Sequence, residues 1–517
     1  MIIKESTLAK GLPKKTTSLC PECGKIIDAK IIEENSAAVI VKKCPEHGET
    51  KDVYWSSAKM FLRAEQWAYD GVGVENPKLC AEKGCPFDCG LCDIHQSHTS
   101  LANLDLTNRC NLRCPICFAN ANSAGYVYEP SLDQVKFMLK TLREERPVPT
   151  PAVQFAGGEP TIYPHFFEAI KEARRLKFSQ VQVATNGIKM AEEPGFTQKM
   201  VDAGMHTVYL QFDGLREENY VAARGRKLLD IKLKAIESCR HVQNGKISVV
   251  LVPTIVKGLN NDQVGEIVKF AIKNRDVILA VNFQPVAFTG RIDQESRAKQ
   301  RYTLPDLVKD LGEQTGYTTE DDWYNVPFVS PISELISVVS GKPKVAFTPH
   351  PHCGLATYFF IDEKGVPTPI TRFIDVQGLM KEVYKLSKDT EGSLVKFFAI
   401  GKAYSIIKRH MIKEKMPKGM SPTKFVSLLR SVFSSTDKKA LSDFSWSMMM
   451  IGGMHFQDSY NYDIERVKRC VIHYVVPDGR IIPFCAYNGG PTYRTEVEKK
   501  FSMPLAEWKA KHGAEGL

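Results

Sequence analysis

Cysteine is the residue type around which the chemistry of this sequence gathers. Of its fourteen cysteines, thirteen fall into close or pairable sets. Two triplets share the spacing C-x3-C-x2-C: Cys85, Cys89 and Cys92 in CPFDCGLC, and Cys110, Cys114 and Cys117 in CNLRCPIC. A short loop with three thiolates can bind three irons of a [4Fe–4S] cube and leave the fourth iron open. Zinc competes for such loops, but it wants four ligands, usually from paired C-x2-C units. Cys80 lies C-x4-C ahead of Cys85, so Cys80, Cys85, Cys89 and Cys92 could hold a complete [4Fe–4S] cluster, with structural zinc as the alternative. Near the N-terminus, Cys20-Pro-Glu-Cys23 and Cys44-Pro-Glu-His47 make C-x2-C…C-x2-H. That pattern is a mononuclear tetrahedral site for zinc or rubredoxin-like iron, with another cysteine able to replace His47. Cys239 stands alone in a helical stretch and reads as a buried, inert thiol.

These ligands need elements to hold them. Between residues 99 and 300 strand-like apolar runs alternate with helical patterns. LANLDLT, AVQFAG, QVQVAT, TVYLQFDG, ISVVLVPTIV and VILAVNFQPV are the strands. Six such alternations predict an α/β fold with a parallel sheet, open or curved into a partial (β/α)6 barrel. Ligands in such folds gather at the C-terminal strand ends. Cys110 directly follows the first strand, and Gly157-Gly158-Glu159-Pro160 ends the second, about 40 residues after Cys117. Residues 1–98 form a cysteine-rich unit in which AAVIVKKC reads as a strand and SAKMFLRAEQWAY as a short helix. Residues 301–517 form an α+β remainder in which CVIHYVVPDGR and IIPFCAY read as a hairpin turning at Asp478-Gly479.

The cysteine loop and the glycine pair together resemble the radical S-adenosylmethionine (SAM) superfamily. Cys110, Cys114 and Cys117, with Ile116 before the last, match its C-x3-C-x-φ-C motif, and residues 157–160 match its GGEP motif. The resemblance implies a [4Fe–4S] cluster whose open iron takes the amino and carboxylate groups of SAM, and reduction that yields a 5′-deoxyadenosyl radical. Gly157 and Gly158 would allow close backbone approach, and Glu159 would accept from the SAM ammonium. Further contacts implied by analogy are Thr185, Asn186 and Gly187 after the third strand, Gln211 and Asp213 after the fourth, and Thr254 near the end of the fifth. Each could instead be a strand-end polar residue satisfied by backbone. The late cysteines Cys353, Cys470 and Cys485 would hold an auxiliary [4Fe–4S] cluster, with His350, His352 or His473 as candidate further ligands. Buried thiols are the plain alternative. Two auxiliary clusters and one mononuclear Fe or Zn would then accompany the SAM cluster.

Composition narrows the class. The chain has 517 residues, enough for two or three domains, with 43% hydrophobic and 25% charged residues, which argues against a disordered or fibrous protein. No apolar run reaches the roughly 18 residues of a membrane span, and MIIKESTLAKGLPKK lacks a signal-peptide core. The expected location is cytoplasmic, at most attached to the inner membrane face. Lys and Arg total 69 against 59 acidic residues, a formal +10. Residues 401–430 carry eight of these cations against Glu414 alone. That segment could face nucleic acid, an anionic membrane or an acidic partner. Segment 395–415 sets apolar residues such as Phe397, Phe398, Ile406 and Ile407 among lysines, as in an interfacial helix or the solvated face of a packed one. The stretch Trp446–Phe456, rich in methionine, could line an apolar tunnel or belong to an ordinary core.

Over almost its whole length the chain also resembles the archaeal tetraether lipid synthase family. The likeness is carried by LPKKTTSLCPECGKIIDA, CGLCDIHQSHT, HPHCGLATYFF and CVIHYVVPDGRIIPFCAYN. It implies carbon–carbon coupling between terminal methyl carbons of phytanyl lipid tails, with the alkyl radical trapped on an auxiliary-cluster sulfur. The partners implied are archaeal diether phospholipids, an anionic membrane surface and a low-potential donor such as ferredoxin or flavodoxin, with no nucleic acid. The competing expectations are a radical SAM methyltransferase, an RNA- or peptide-modifying enzyme, and a zinc-dependent nucleic-acid-binding protein. The last leaves GGEP and the open cysteine triplet unexplained.

Overall fold

A sheet face rich in apolar side chains must be buried against another layer, and the middle third of the chain supplies helices for it. The computed structural model describes residues 1–391, 396–421, 423, 425, 448–490 and 493–513. An N-terminal four-stranded antiparallel sheet comes first: β1 (Lys14–Leu19), β2 (Ile26–Glu34), β3 (Ala37–Cys44) and β4 (Gly48–Trp55), paired in that order. The helix Ala58–Glu65 follows, capped by Ser57.

The central sheet then begins. β5 (Leu101–Thr107), β6 (Ala152–Gly157), β7 (Gln180–Thr185), β8 (Thr207–Gln211), β9 (Ser248–Val252) and β10 (Ile278–Pro285) pair side by side in chain order, all parallel. Intervening helices include Leu132–Arg143, Phe166–Arg175, Phe196–Ala203, Leu229–Arg240 and Val264–Lys273. In Leu132–Arg143 the residues Val135, Met138, Leu139 and Leu142 recur at helical spacing and are fully buried. A Ser131–Gln134 capping box starts that helix. This is the expected α/β partial barrel.

The C-terminal residues extend the same sheet at both edges. β11 (Gly354–Ile361) runs antiparallel to β12 (Met448–Met454), which lies parallel to β10. β13 (Ile472–Val475) lies parallel to β5 and turns back into β14 (Ile481–Pro483). Gly479, at φ 85°, makes that turn.

The structure chooses between the alternatives left open for two segments and alters a third. The methionine-rich stretch is a sheet strand, β12; only Met454 and Phe456 at its end reach the central cavity, while Trp446 and Ser447 lie outside the described residues. The second hairpin strand ends at Pro483, and Phe484–Gly489 is helical, so Cys485 sits on a helix. The basic segment contains the helix Lys396–Arg409, whose Ala403, Ile406 and Ile407 are buried against Leu379, Met380 and Val383 of the helix Val376–Thr390. Part of its apolar side is thus covered by protein while Phe398 and Ile400 stay exposed, and Arg409 and His410 pair with Glu382. Val395, Lys424 and Arg430 lie outside the described residues. Among the described residues no helix is long and apolar enough to cross a membrane.

Candidate active site and metal centres

The C-terminal ends of β5–β10 open into a cavity of about 280 Å³. Its wall includes Cys110, Cys114 and Cys117 together with Gly157, Gly158 and Glu159. The cysteine loop leaves β5 and is pinned by side chains rather than by regular structure. Asn122 Oδ1 accepts from the Cys110 amide at 3.0 Å, and its Nδ2 donates to the carbonyls of Cys110 (2.6 Å) and Leu112 (3.1 Å). Arg291 donates to the Cys114 carbonyl at 2.9 Å, and Asn186 Nδ2 to Asn111 Oδ1 at 2.6 Å. Burial pushes the Cys110 thiol far up, helped by Glu159 and the neighbouring Cys114 and Cys117; burial likewise raises Cys114. A bound cation reverses that local charge balance and deprotonates its thiol ligands. The donor set therefore fits an iron–sulfur cluster.

The glycine pair serves the chain before any ligand. A Cβ on Gly157 would lie 2.2 Å from the Thr107 carbonyl oxygen, and one on Gly158 2.1 Å from that of Arg109. Gly158 N donates to Thr107 O at 2.7 Å and Glu159 N to Arg109 O at 2.9 Å. The GGEP turn thus presses directly on the start of the cysteine loop. Glu159, 1% exposed, is already heavily engaged. Its Oε1 accepts from the Thr161 amide and hydroxyl and from Thr185 Oγ1 (3.2, 2.6 and 2.7 Å), and its Oε2 from the Asn186 amide (2.8 Å). Glu159 and Thr185 together tie β6 to β7, which leaves room for about one more donor on Oε2.

Asp213 and Thr254 are likewise engaged. Arg224 Nε and Nη2 donate to the two oxygens of Asp213 at 2.7 and 2.8 Å, and Nη2 reaches Thr254 Oγ1 at 3.1 Å. Arg224 Nη1 donates to Ile116 O at 2.8 Å, between Cys114 and Cys117. Gln211 accepts from the fully buried Lys232 at 3.0 Å, and Lys232 also donates to Asn186 O at 2.5 Å. Burial pushes the Lys232 ammonium down to about 8. Arg224 and Lys232 escape sequence reasoning because a lone cation in a helix usually faces water.

Deeper in the lumen the strands carry a run of amides. Gln182 Nε2 donates to Gln154 Oε1 at 2.7 Å, and Gln154 Nε2 to Asn103 Oδ1 at 2.8 Å. Asn103, Gln154 and Gln284 line the cavity together with Phe456, Phe484 and Tyr474, and Tyr474 on β13 is the register partner of Asn103 on β5. Phe456 and Phe484 stack at 4.0 Å. Arg494, also on the wall, donates to Asp105 at 2.6 Å.

The N-terminal quartet converges on a point. The ligand atoms of Cys20, Cys23, Cys44 and His47 all lie within 4.8 Å of one another. Cys23 Sγ and Cys44 Sγ are 3.9 Å apart, and His47 Nδ1 lies 3.5 Å from Cys44 Sγ. Cys20 follows β1, Cys44 ends β3 and His47 immediately precedes β4, so the sheet presents one knuckle at each of two strand ends. The spacing fits one tetrahedral ion.

Of the remaining cysteines, Cys85 and Cys92 act on Cys89, and Cys353 and Cys485 on Cys470. Hydrogen bonding with Cys85 and burial push the Cys89 thiol up, with Cys92 and Cys470 adding. Cys80 is exposed. Burial raises Cys470 far up, with Cys485 and Cys353 contributing. The candidate histidines are partly taken: His352 Nε2 meets Phe61 O at 3.1 Å, His350 Nδ1 accepts from the His352 amide, and His473 Nε2 lies 3.2 Å from His95 Nε2. Cys239 is 2% exposed and burial pushes its thiol up to about 12.

Comparison with known proteins gives two family matches: the radical SAM superfamily over residues 104–271, and the HMPTM N-terminal zinc ribbon domain over residues 12–56. These support SAM with its [4Fe–4S] cluster and a zinc-type N-terminal site. The chain is 49% identical over 504 residues, 97% of this chain and 98% of the other, to the 7,8-dihydro-6-hydroxymethylpterin dimethyltransferase of Methanocaldococcus jannaschii. A GTP 3′,8-cyclase of Clostridium acetobutylicum is 22% identical over 47% of this chain and 77% of its own. Among solved structures, Streptococcus suis SuiB bound to its precursor peptide matches 42% of this chain and 46% of its own, at 20% identity and TM-score 0.34. The near-full-length match overturns the expected tetraether lipid synthase, and with it the diether phospholipid substrates and the anionic membrane surface as partner. The cavity agrees with this to the extent that the amides of Asn103, Gln154 and Gln284 stand among its apolar lining, and Ala403, Ile406 and Ile407 of the basic helix are packed on protein.

Proposed function

The chain belongs to the 7,8-dihydro-6-hydroxymethylpterin dimethyltransferase family, and from that membership we propose that it is a radical SAM methyltransferase that acts on a reduced pterin. The observation that carries the reading is identity of 49% sustained over 97% of the chain. With cluster and SAM bound, the site supplies a 5′-deoxyadenosyl radical able to remove hydrogen from carbon.

This chain's own residues take the following parts. Cys110, Cys114 and Cys117 are assigned the SAM cluster, and Gly157, Gly158, Glu159 and Pro160 shape the wall beside it. Thr185, Asn186, Gln211, Asp213 and Thr254 act mainly by holding Glu159, Lys232 and Arg224 in place. The amides of Asn103 and Gln154 offer paired donors and acceptors, suited to the amino-oxo edge of a flat heterocycle. Tyr474, Phe456 and Phe484 offer faces for its ring. Cys80, Cys85, Cys89 and Cys92 are assigned one auxiliary [4Fe–4S] cluster, and Cys353, Cys470 and Cys485 another. Cys20, Cys23, Cys44 and His47 hold zinc within residues 1–98. Residues 99–300 are the catalytic barrel, and 301–517 supply the second auxiliary centre.

The test is anaerobic turnover of the reconstituted protein. SAM, a strong reductant and 7,8-dihydro-6-hydroxymethylpterin are mixed, with methyl-deuterated SAM and a reduced folate as alternative one-carbon sources. The expected product is a pterin heavier by one or two methyl groups. Formation of 5′-deoxyadenosine with the pterin unchanged under both sources overturns the reading.

A further inference from the structure

Arg466 lies in the short helix Ile464–Lys468 and is 2% exposed. Buried arginines elsewhere in this chain meet carboxylates: Arg469 meets Asp70, and Arg301 meets Asp458. Arg466 does not. Its Nε donates to Cys353 Sγ at 3.4 Å and its Nη2 to the His455 carbonyl. Among the described residues no carboxylate comes within ion-pair distance of it. A buried guanidinium without a counter-charge costs several kcal/mol. A neutral thiol, one carbonyl and the face of the Tyr54 ring at 5.7 Å supply no negative charge to offset that.

The missing anion has a place. Cys353 directly precedes β11, Cys485 opens the helix Phe484–Gly489, and Cys470 lies just before β13. Sheet topology brings β11 and β13 to opposite edges of the barrel sheet, yet Cys485 and Cys353 both act on the buried Cys470, and Arg466 donates directly to Cys353. Cys485 Sγ also accepts from the Gln457 amide at 3.5 Å. A [4Fe–4S] core on three thiolates is a net anion and gains a further negative charge on reduction. Hydrogen bonds to sulfur and local charge are among the levers that set such potentials.

We propose that Arg466 is the counter-charge and N–H···S donor of an iron–sulfur centre held by Cys353, Cys470 and Cys485, and that it sets the reduction potential of that centre. The proposal rests on the assignment of those cysteines made above. Arg466 is a positioning residue: it stabilises the reduced centre more than the oxidised one and so raises its potential.

The test uses the full reconstituted chain, iron analysis and a redox titration followed by electron paramagnetic resonance. In Arg466→Gln, iron content stays at the wild-type level, and one of the [4Fe–4S] signals titrates at a more negative potential. The expected change in its reduction equilibrium is at least about tenfold, or about 59 mV for one electron. Arg466→Lys, which keeps the charge but not the planar donor, shifts less. Unchanged potentials in Arg466→Gln overturn the proposal. Should the Gln variant fail to take up iron, the Lys variant decides: a negative shift supports the role, and no shift overturns it. The double variant Cys353→Ala, Cys470→Ala tests the centre itself. Undiminished iron there removes the centre and the proposal together, whereas iron lost there with no shift at Arg466 removes only the arginine's role.

Discussion

Arg224 and Asp213 form a two-pronged ion pair, at 2.7 and 2.8 Å, whose remaining guanidinium nitrogen holds the carbonyl of Ile116 within the cysteine loop. One side chain therefore connects the end of β8 to the loop that carries Cys114 and Cys117. Asp213 is fully buried, so removing its partner leaves an unpaired charge. Arg224→Ala should lose roughly 3–5 kcal/mol of stability. Its SAM-cluster absorbance should fall below wild type even where the far-UV spectrum is retained. Thermal melts together with iron analysis check this.

Gly158→Ala places a methyl group 2.1 Å from the Arg109 carbonyl, with backbone on both sides. The GGEP turn and the cysteine loop must then separate. Formation of 5′-deoxyadenosine from SAM should drop more than tenfold, a barrier change above about 1.4 kcal/mol. Gly401→Ala is the control: a Cβ there meets nothing within 4 Å, and it sits in a helix, so stability should rise by up to about 1 kcal/mol. Chromatography of the nucleoside and a melting curve separate the two cases.

Asp458 gives the protein an acid limit. Burial opposes its charge, but Arg301 prevails and holds the carboxyl at about 2, below its ordinary 3.8. The folded state thus binds its proton less readily than the unfolded chain. The stabilisation is complete above the unfolded value and is lost as pH falls toward 2. It amounts to about 2 kcal/mol. Urea melts between pH 5 and pH 2 should show that loss, and Asp458→Asn, already weaker at pH 7, should show a flatter profile.

Cys44→Ser should remove the ion of the N-terminal ribbon and leave cluster iron unchanged, because the quartet contributes no residue to the barrel cavity. Folding free energy of such small sheets depends on their metal. Zinc and iron analysis should show the loss of one ion per chain, and limited proteolysis should cut first within residues 12–56.

If the lumen amides recognise a heterocycle, Gln154→Leu should raise KM for the pterin. It removes donors to Asn103 and an acceptor for Gln182 as well. One lost buried hydrogen bond is worth about 1–3 kcal/mol, so about tenfold or more is expected. Steady-state kinetics with SAM saturating provide the check, and SAM cleavage without substrate should remain near wild type.

The barrel was readable because its strands follow a simple rule. Runs such as LANLDLT, AVQFAG and QVQVAT coincide with β5, β6 and β7, where apolar residues alternate with the lumen-side Asn103, Gln154 and Gln182. AAVIVKKC coincides with β3. Local spacing also marked the quartet at 20–47. What escaped was long-range. Nothing near Arg224, Arg466 or Asn122 in the chain distinguishes them from solvated polar residues, because their partners lie far away in sequence. The helical turn at Cys485 escaped because IIPFCAY is apolar throughout, a pattern that strand and helix share. The lipid expectation failed at a different level, since shared cysteine spacing reports on clusters and says little about the molecule that reacts beside them.

The placement of β13 next to β5 bears on how the protein is made. β5 leaves the ribosome first, but its outer neighbour comes from residues 472–475, far downstream in the chain. Until then one flank of the nascent barrel shows bare amides and carbonyls, a surface on which other chains can template. Biogenesis of this protein is consequently a race between synthesis of residues 472–475 and off-pathway pairing, and that distant strand acts as the clasp that ends it.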